Sequence, residues 1–179
     1  MTRVIAGRHR GRRLRVPAGE TTRPTADRAR EGLFSSLQSL VDLDGARVLD
    51  LYAGSGAVGI EALSRGAAWA TFVEHEGPAC EVIRSNLASL GEFACDVVTA
   101  DVERFLGGEP ASFDMMFLDP PYRSDVEGVL RAAVPWLTEG GVVVVERASR
   151  DPALTWPEGL TGDRSRRYGE ATLWYGFRS

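Results

Sequence analysis

A run of four residues, Asp119-Pro120-Pro121-Tyr122, carries the most specific chemical signal in the chain. It follows an apolar segment that predicts a buried β-strand, and its two prolines stiffen the backbone and remove two N–H donors. The Asp119 carboxylate and the Pro120 carbonyl oxygen can each accept a hydrogen from an exocyclic amine of a nucleobase, which favours the nucleophilic geometry of that amine. Tyr122 can stack on an extruded base. Residues 119–122 are therefore candidate catalytic residues for amine methylation.

A glycine-rich loop lies upstream, where Gly54, Gly56 and Gly59 match the pattern G-x-G-x-x-G. Glycines at this spacing permit a tight turn and let a ligand approach the free N–H groups at a helix start. Gly54, Ser55 and Gly56 are therefore candidate cofactor-binding residues. The pattern alone also suits packing glycines in any strand–helix turn, or a nicotinamide dinucleotide.

Acidic residues at the ends of the predicted strands narrow the choice of cofactor. Asp50 would repel a pyrophosphate but suits a ligand that carries an ammonium and a sulfonium group. Glu74 can accept hydrogen bonds from both ribose hydroxyls. Asp101 can accept from an adenine amino group, with Val102 packing on the adenine face, although Asp101 could equally be a helix N-cap. The set favours S-adenosylmethionine over NAD.

Alternating strands and helices are predicted to position these residues. Strands are predicted at 46–52, 69–74, 94–99, 112–119 and 140–147, and a last strand at 171–177 could pair with one near 161–168. Helices are predicted at 57–66, 78–90 and 124–137, and another begins after Thr25. This order predicts an α/β fold with a mostly parallel, doubly wound sheet, an antiparallel C-terminal strand and ligands at the carboxyl ends of the strands.

The basic residues are unevenly distributed. All 21 are arginine, and nine of them lie in the first 30 residues beside only two acidic residues, although the whole chain has a net charge of −4. A genomic bias towards arginine would explain the missing lysines but not this clustering. Residues 2–16 read as a small hairpin around two glycines, and their charge predicts a polyanionic partner. The candidate RNA-binding residues are Arg3, Arg8, Arg10, Arg12, Arg13 and Arg15.

Several function classes are excluded by composition. Cys80 and Cys95 cannot form a disulfide framework or a zinc site by themselves, and no metal is expected. No apolar run approaches the roughly 20 residues of a membrane span, and the N-terminus has no apolar signal region. We therefore expect a cytoplasmic protein with no membrane partner.

The flanks of these motifs carry a family resemblance over nearly the whole chain. Residues 3–14 (RVIAGRHRGRRL), 23–34 (RPTADRAREGLF), 49–67 (LDLYAGSGAVGIEALSRGA) and 167–175 (RYGEATLWY) resemble the bacterial 16S ribosomal RNA guanine-N2 methyltransferases that act on guanine 966. One departure is Tyr52, which stands where phenylalanine is expected.

The resemblance implies a Rossmann-like class I methyltransferase fold and S-adenosylmethionine as cofactor. It divides the chain into a basic arm (residues 1–24) and a methyltransferase domain (residues 25–179), with Thr25 closing over the cofactor. The implied partner is 16S ribosomal RNA in the 30S subunit or a late assembly intermediate, and a monomer is expected. The alternatives are a DNA adenine-N6 or cytosine-N4 methyltransferase, an NAD-binding protein, and a binding module without activity.

Overall fold

Two sheets and five α-helices make up the computed structural model, which describes residues 2–20 and 24–179, and of Pro24 and Thr25 the backbone alone. The strands are β1 (Thr2–Arg3), β2 (Arg13–Leu14), β3 (Arg47–Leu51), β4 (Trp69–Glu74), β5 (Cys95–Thr99), β6 (Phe113–Leu118), β7 (Leu137–Ala148), β8 (Leu160–Tyr168) and β9 (Ala171–Arg178). The helices are α1 (Pro24–Leu37), α2 (Ala57–Ser64), α3 (Gly77–Leu90), α4 (Val102–Leu106) and α5 (Val126–Ala133), followed by a 3-10 helix (Val134–Trp136).

The large sheet has the order β5-β4-β3-β6-β7-β9-β8. Its first five strands are parallel, and β9 runs antiparallel between β7 and β8. The predicted doubly wound sheet and its antiparallel C-terminal strand are confirmed. The chain builds outward from β3 through β4 to β5 and then returns to place β6 on the other side of β3. This reversal creates a crevice at the carboxyl ends of β3 and β6, where such sheets bind ligands.

Helices cover both faces of the sheet because both faces of its central strands are apolar. Helices α1, α2 and α3 pack on one face, where Phe34, Ile60 and Ile83 are fully buried. Helices α4 and α5 pack on the other, with Leu106 and Leu130 in its core. The predicted helix at 124–137 is interrupted after Ala133, since proline in the following Val-Pro-Trp turn removes an N–H donor. None of the helices in residues 2–20 and 24–179 has the length and apolar character required to cross a bilayer.

The N-terminal hairpin of β1 and β2 packs against α2 through polar contacts. The buried Glu61 carboxylate accepts hydrogen bonds from the backbone N–H groups of Ile5 (2.8 Å) and Ala6 (2.9 Å). The Ser64 hydroxyl donates to the Ala6 carbonyl oxygen at 2.6 Å and accepts from the His9 N–H at 3.0 Å. The basic segment is thus fixed on the body of the protein at its glycine-containing turn.

Candidate active site

Four carboxylates share one face at the carboxyl edge of the sheet. In spatial order across the strands they are Glu74 on β4, Asp50 on β3, Asp119 after β6 and Glu146 on β7. Each stands two residues after a buried member of the core beneath α1, α2 and α3, so the alternation of side chains turns all four towards that face. Neighbouring strands lie about 4.8 Å apart, which brings these negative charges close to one another.

The glycine loop connects two of these carboxylates to the backbone. It leaves β3 through Tyr52, which has a left-handed φ of 58° that is strained for a residue with a side chain. The Gly54 N–H donates to Glu74 at 2.9 Å, and the Gly59 N–H donates to Asp50 at 3.0 Å. No residue with a side chain fits at Gly59, because a Cβ at this position would lie 2.3 Å from a ring carbon of Phe72. The loop therefore folds tightly around the carboxylates before α2 begins.

Asp50 is almost completely removed from water, with 1% of its surface exposed. Burial raises the pKa of its carboxyl from the usual 3.8 to about 8, and the nearby charge of Glu74 adds to the rise while the hydrogen bond from Gly59 opposes it. A buried carboxylate without a counter-ion is costly. The position therefore favours a ligand that brings positive charge.

A cavity of about 650 Å³ opens above this part of the sheet. It extends from Glu74 past Asp50 to Glu146, and the glycine loop contributes Gly54 and Ser55 to its wall. Besides these carboxylates it exposes backbone groups of the loop and apolar side chains. Its size and its acidic, partly apolar lining fit a nucleoside that carries an amino-acid chain with an ammonium and a sulfonium group.

Two further charged residues of this wall were not singled out from the sequence. Glu20 reaches over the loop, with a carboxylate oxygen 3.6 Å from the position of a Cβ on Gly54, and burial together with the charge of Glu74 raises its pKa. Arg30 on α1 is buried and donates to the Thr2 hydroxyl at 3.2 Å. Glu20 lies outside the motifs quoted above, and Arg30 lies within residues 23–34 without a role assigned from the sequence, so the fold reveals the place of both in the site.

A second cavity of about 420 Å³ adjoins the first. Asp119, Pro120, Pro121 and Tyr122 form one wall, and the two cavities share Asp119, Pro121 and Glu146. The Tyr122 side chain is 75% exposed, so its ring is available for stacking. All four predicted catalytic residues therefore line one pocket, which joins the cavity beside the glycine loop at Asp119 and its neighbours.

Asp119 and Glu146 are neighbours in the sheet, because the preceding residues Leu118 and Val145 pair in register between β6 and β7. The Asp119 side chain is open to the cleft, but the protein atoms packed around its carboxyl displace much of the water that would stabilise its charge. This desolvation is the largest cause that raises its pKa well above the ordinary value, and the charges of Glu146, Asp50 and Glu20 add to the rise. Burial likewise raises the pKa of Glu146. Glu146 was not identified from the sequence as a site residue. The signal that could have indicated it was its position as an acidic residue at the carboxyl end of an apolar strand.

Comparison with known proteins decides the family. The profile described as "Conserved hypothetical protein 95" matches residues 2–176. The chain belongs to this family. It is 36% identical over 174 residues to "Ribosomal RNA small subunit methyltransferase D" of Escherichia coli, covering 94% of this chain and 85% of that protein. It is 38% identical over 178 residues to "Putative rRNA methyltransferase YlbH" of Bacillus subtilis, covering 93% and 94% respectively.

The solved structures agree with this membership. "Putative methyltransferase yhhF from Escherichia coli" superposes with a TM-score of 0.89 at 32% identity, over 99% of this chain and 97% of that one. The resemblance stated from the sequence motifs is confirmed, as is the Rossmann-like class I methyltransferase fold. The prediction that the chain is an enzyme is confirmed by the same relatives.

Of the predicted cofactor residues, Asp101, Val102 and Gly56 line neither cavity, and the side chain of Thr25 is not described. Asp101 is exposed and directly precedes α4, and Val102 is 3% exposed and packs in the core beneath α4 and α5. Neither lines the larger cavity, so their contact with an adenine stays a prediction. The side chain of Thr25 lies outside the described residues. Gly56 directly precedes α2, and its left-handed φ of 79° sets the turn between the loop and the helix.

The six candidate RNA-binding arginines, at positions 3, 8, 10, 12, 13 and 15, are all exposed. The side chains of two of them also contact the body of the protein. Arg8 forms an ion pair of 2.5 Å with Glu92, and Arg12 donates to the Ser89 carbonyl oxygen at 2.8 Å. These contacts hold the hairpin against the end of α3. The role of the six arginines in RNA binding stays a prediction.

Proposed function

We propose that this protein transfers a methyl group from S-adenosylmethionine to the exocyclic N2 of a guanine in 16S ribosomal RNA, at position 966. The observation that carries the proposal is the pair of adjoining cavities with Asp119 in the wall of both. One cavity suits the cofactor and the other a single base, so a target amine held by Asp119 would face the cofactor. The names of the relatives from Escherichia coli and Bacillus subtilis support ribosomal RNA as substrate.

Residues around the larger cavity would hold the cofactor. Glu74 lies at one end, where its carboxylate would exchange the Gly54 N–H for the ribose hydroxyls. Asp50 lies in the middle, where its buried carboxylate would face the ammonium and sulfonium charges. Gly54 and Ser55 would run along the amino-acid part, with Gly56 fixing the turn. When bound, S-adenosylmethionine supplies an activated methyl group on sulfur.

Asp119 and Pro120 would prepare the amine for attack. The amine nitrogen of guanine is a poor nucleophile because its lone pair is delocalised into the ring. The Asp119 carboxylate and the Pro120 carbonyl oxygen would each accept one N2 hydrogen, and Tyr122 would stack on the base. The amine held in this way would take the methyl group from the sulfonium of the bound cofactor, and the Asp119 carboxylate would accept the proton that the nitrogen loses. The raised pKa of Asp119 suits it to this acceptance.

Most of the rate would come from positioning two bound reactants, with electrostatic support from Asp119 for the charge that develops on nitrogen. The basic hairpin within residues 1–24 would bind phosphates, while residues 25–179 form the methyltransferase domain. We propose that the protein acts as a monomer in the cytoplasm on the 30S subunit or a late assembly intermediate. The guanine would be unstacked from its neighbours before entering the smaller cavity.

The test is methyl transfer from labelled S-adenosylmethionine to unmodified 30S subunits, free 16S RNA and duplex DNA, followed by digestion to nucleosides. We expect label in N2-methylguanosine from 30S subunits, and its loss with Asp119→Asn. Label in DNA alone would replace the proposal by a DNA amino-methyltransferase, which shares the Asp-Pro-Pro-Tyr chemistry. Cofactor binding without label in any substrate would contradict the ribosomal assignment.

A further inference from the structure

The carboxylate of Glu146 has no assigned task, although it occupies the centre of the site. It lines both cavities and stands beside Asp119 on the adjacent strand. Among residues 2–20 and 26–179, none donates a hydrogen bond to the side chain of either acid. Two neighbouring acceptors without donors fit a ligand edge that presents two neighbouring N–H groups.

We propose that Glu146 determines the specificity for guanine by accepting a hydrogen bond from its N1–H while Asp119 accepts from its N2 amine. This inference rests on the proposed function. Guanine carries N1–H and the N2 amine side by side on its Watson–Crick edge, so both neighbouring acceptors receive a donor. Single-stranded bases are commonly read along this edge.

Other bases with an exocyclic amine do not fit the same pair of acids. The edge of adenine places the unprotonated N1 beside its amine, and the edge of cytosine places the unprotonated N3 there. With Asp119 bonded to the amine, the half-buried Glu146 carboxylate would face a lone pair and could bond to it only after taking up a proton. Sites built to receive a donor discriminate strongly against ligands that lack it. Glu146 would thus make the Asp-Pro-Pro-Tyr chemistry selective for guanine.

Position in the sheet separates this role from cofactor binding. Glu74 and Asp50 lie on the β4 and β3 side of Asp119, whereas Glu146 lies on its β7 side, towards the wall formed by Tyr122. Arg150 places its guanidinium carbon 5.7 Å from the centre of the Tyr122 ring on the same side. Glu146 thus lies on the far side of Asp119 from Glu74 and Asp50, where the larger cavity meets the cavity that we assign to the base.

The test replaces the guanine by 2-aminopurine, which keeps the N2 amine but has an unprotonated N1. Unmodified 30S subunits are reconstituted with 16S RNA ligated from a synthetic segment that carries either base at the methylated position. For the native protein we expect kcat/KM for guanine to exceed that for 2-aminopurine by roughly 100-fold. In Glu146→Gln, the amide can accept from N1–H or donate to a bare N1, so this ratio should fall by roughly 10-fold or more.

Glu139→Gln is the matched control, because it makes the same change at an exposed site near the opposite end of β7. It should leave the ratio unchanged. A native protein that methylates both bases equally, or a Glu146→Gln variant that folds and keeps the native ratio, would overturn the inference while leaving the proposed function intact. A native protein that forms no N2-methylguanosine at all would remove the proposed function and this inference together.

Discussion

Replacing Asp50 by asparagine should remove a large pH dependence from the stability of the protein. The carboxyl has a pKa of about 8 in the folded state against 3.8 ordinarily. Between these values the unfolded chain has lost this proton while the folded chain retains it, so stability falls as pH rises. The slope is about 1.4 kcal/mol per pH unit, and the total cost reaches at most about 6 kcal/mol by pH 8. The asparagine side chain cannot ionise, yet its carbonyl oxygen can keep the hydrogen bond from Gly59.

The measurement is urea unfolding of the native protein and of Asp50→Asn at intervals from pH 5 to pH 8. The other carboxyls with raised pKa values contribute to both curves, so the difference between the two free energies isolates Asp50. It should grow with pH in favour of the variant, by several kcal/mol across the range. Asp96→Asn, at an exposed position on β5, should stay parallel to the native protein throughout. Parallel curves for Asp50→Asn as well would refute the inference that this carboxyl is strained by burial.

Three further outcomes test the site. Asp119→Ala should lower kcat by roughly 100- to 1,000-fold with little change in the Kd of S-adenosylmethionine, and a lost affinity instead would move Asp119 into the cofactor site. Glu74→Ala should weaken cofactor binding by roughly 10-fold or more in calorimetry, since a carboxylate that accepts from ribose is lost; native affinity would exclude that contact. Neutralising Arg13 and Arg15 to glutamine should reduce the slope of log affinity for RNA against log salt by about 1.4, and an unchanged slope would remove these arginines from the interface.

Much of the fold could be predicted because its signals are local. Buried strands appear in the sequence as short apolar runs, and glycines mark the turns around them. For β4, the predicted bounds of 69–74 are those of the structure. The order of strands and helices then restricts the sheet to few topologies, which placed the loop of Gly54 and the loop of Asp119 at one edge. The short helix α4 was implied only by the alternative interpretation of Asp101 as a helix N-cap, since five residues are too few to display a periodic pattern.

The acids that complete the site could not be predicted, because their meaning depends on which strands are neighbours. Glu146 has the same local sequence signal as any charged residue at a strand end, and it gains significance only from the pairing of β7 with β6. Glu20 lies in an irregular segment and reaches the glycine loop across the fold. The charge of the hairpin was evident from composition, but the attachment of Arg8 to Glu92 was not. Pairings between distant residues are set by tertiary structure alone.

The electrostatics of the site link its stability to its proposed use. Asp50, Asp119, Glu146 and Glu20 all have raised pKa values, so each of these carboxyls is harder to ionise in the folded chain without ligand than in the unfolded chain. A ligand with an ammonium and a sulfonium group would favour the ionised carboxylates on one side, and a guanine edge with two donors would favour them on the other. The same arrangement that weakens the free protein would thus favour the cationic cofactor and the base that supplies hydrogens. The acids that lower the stability of the free protein would thus provide its selectivity for these ligands, and the folded state would be most stable when both ligands are bound.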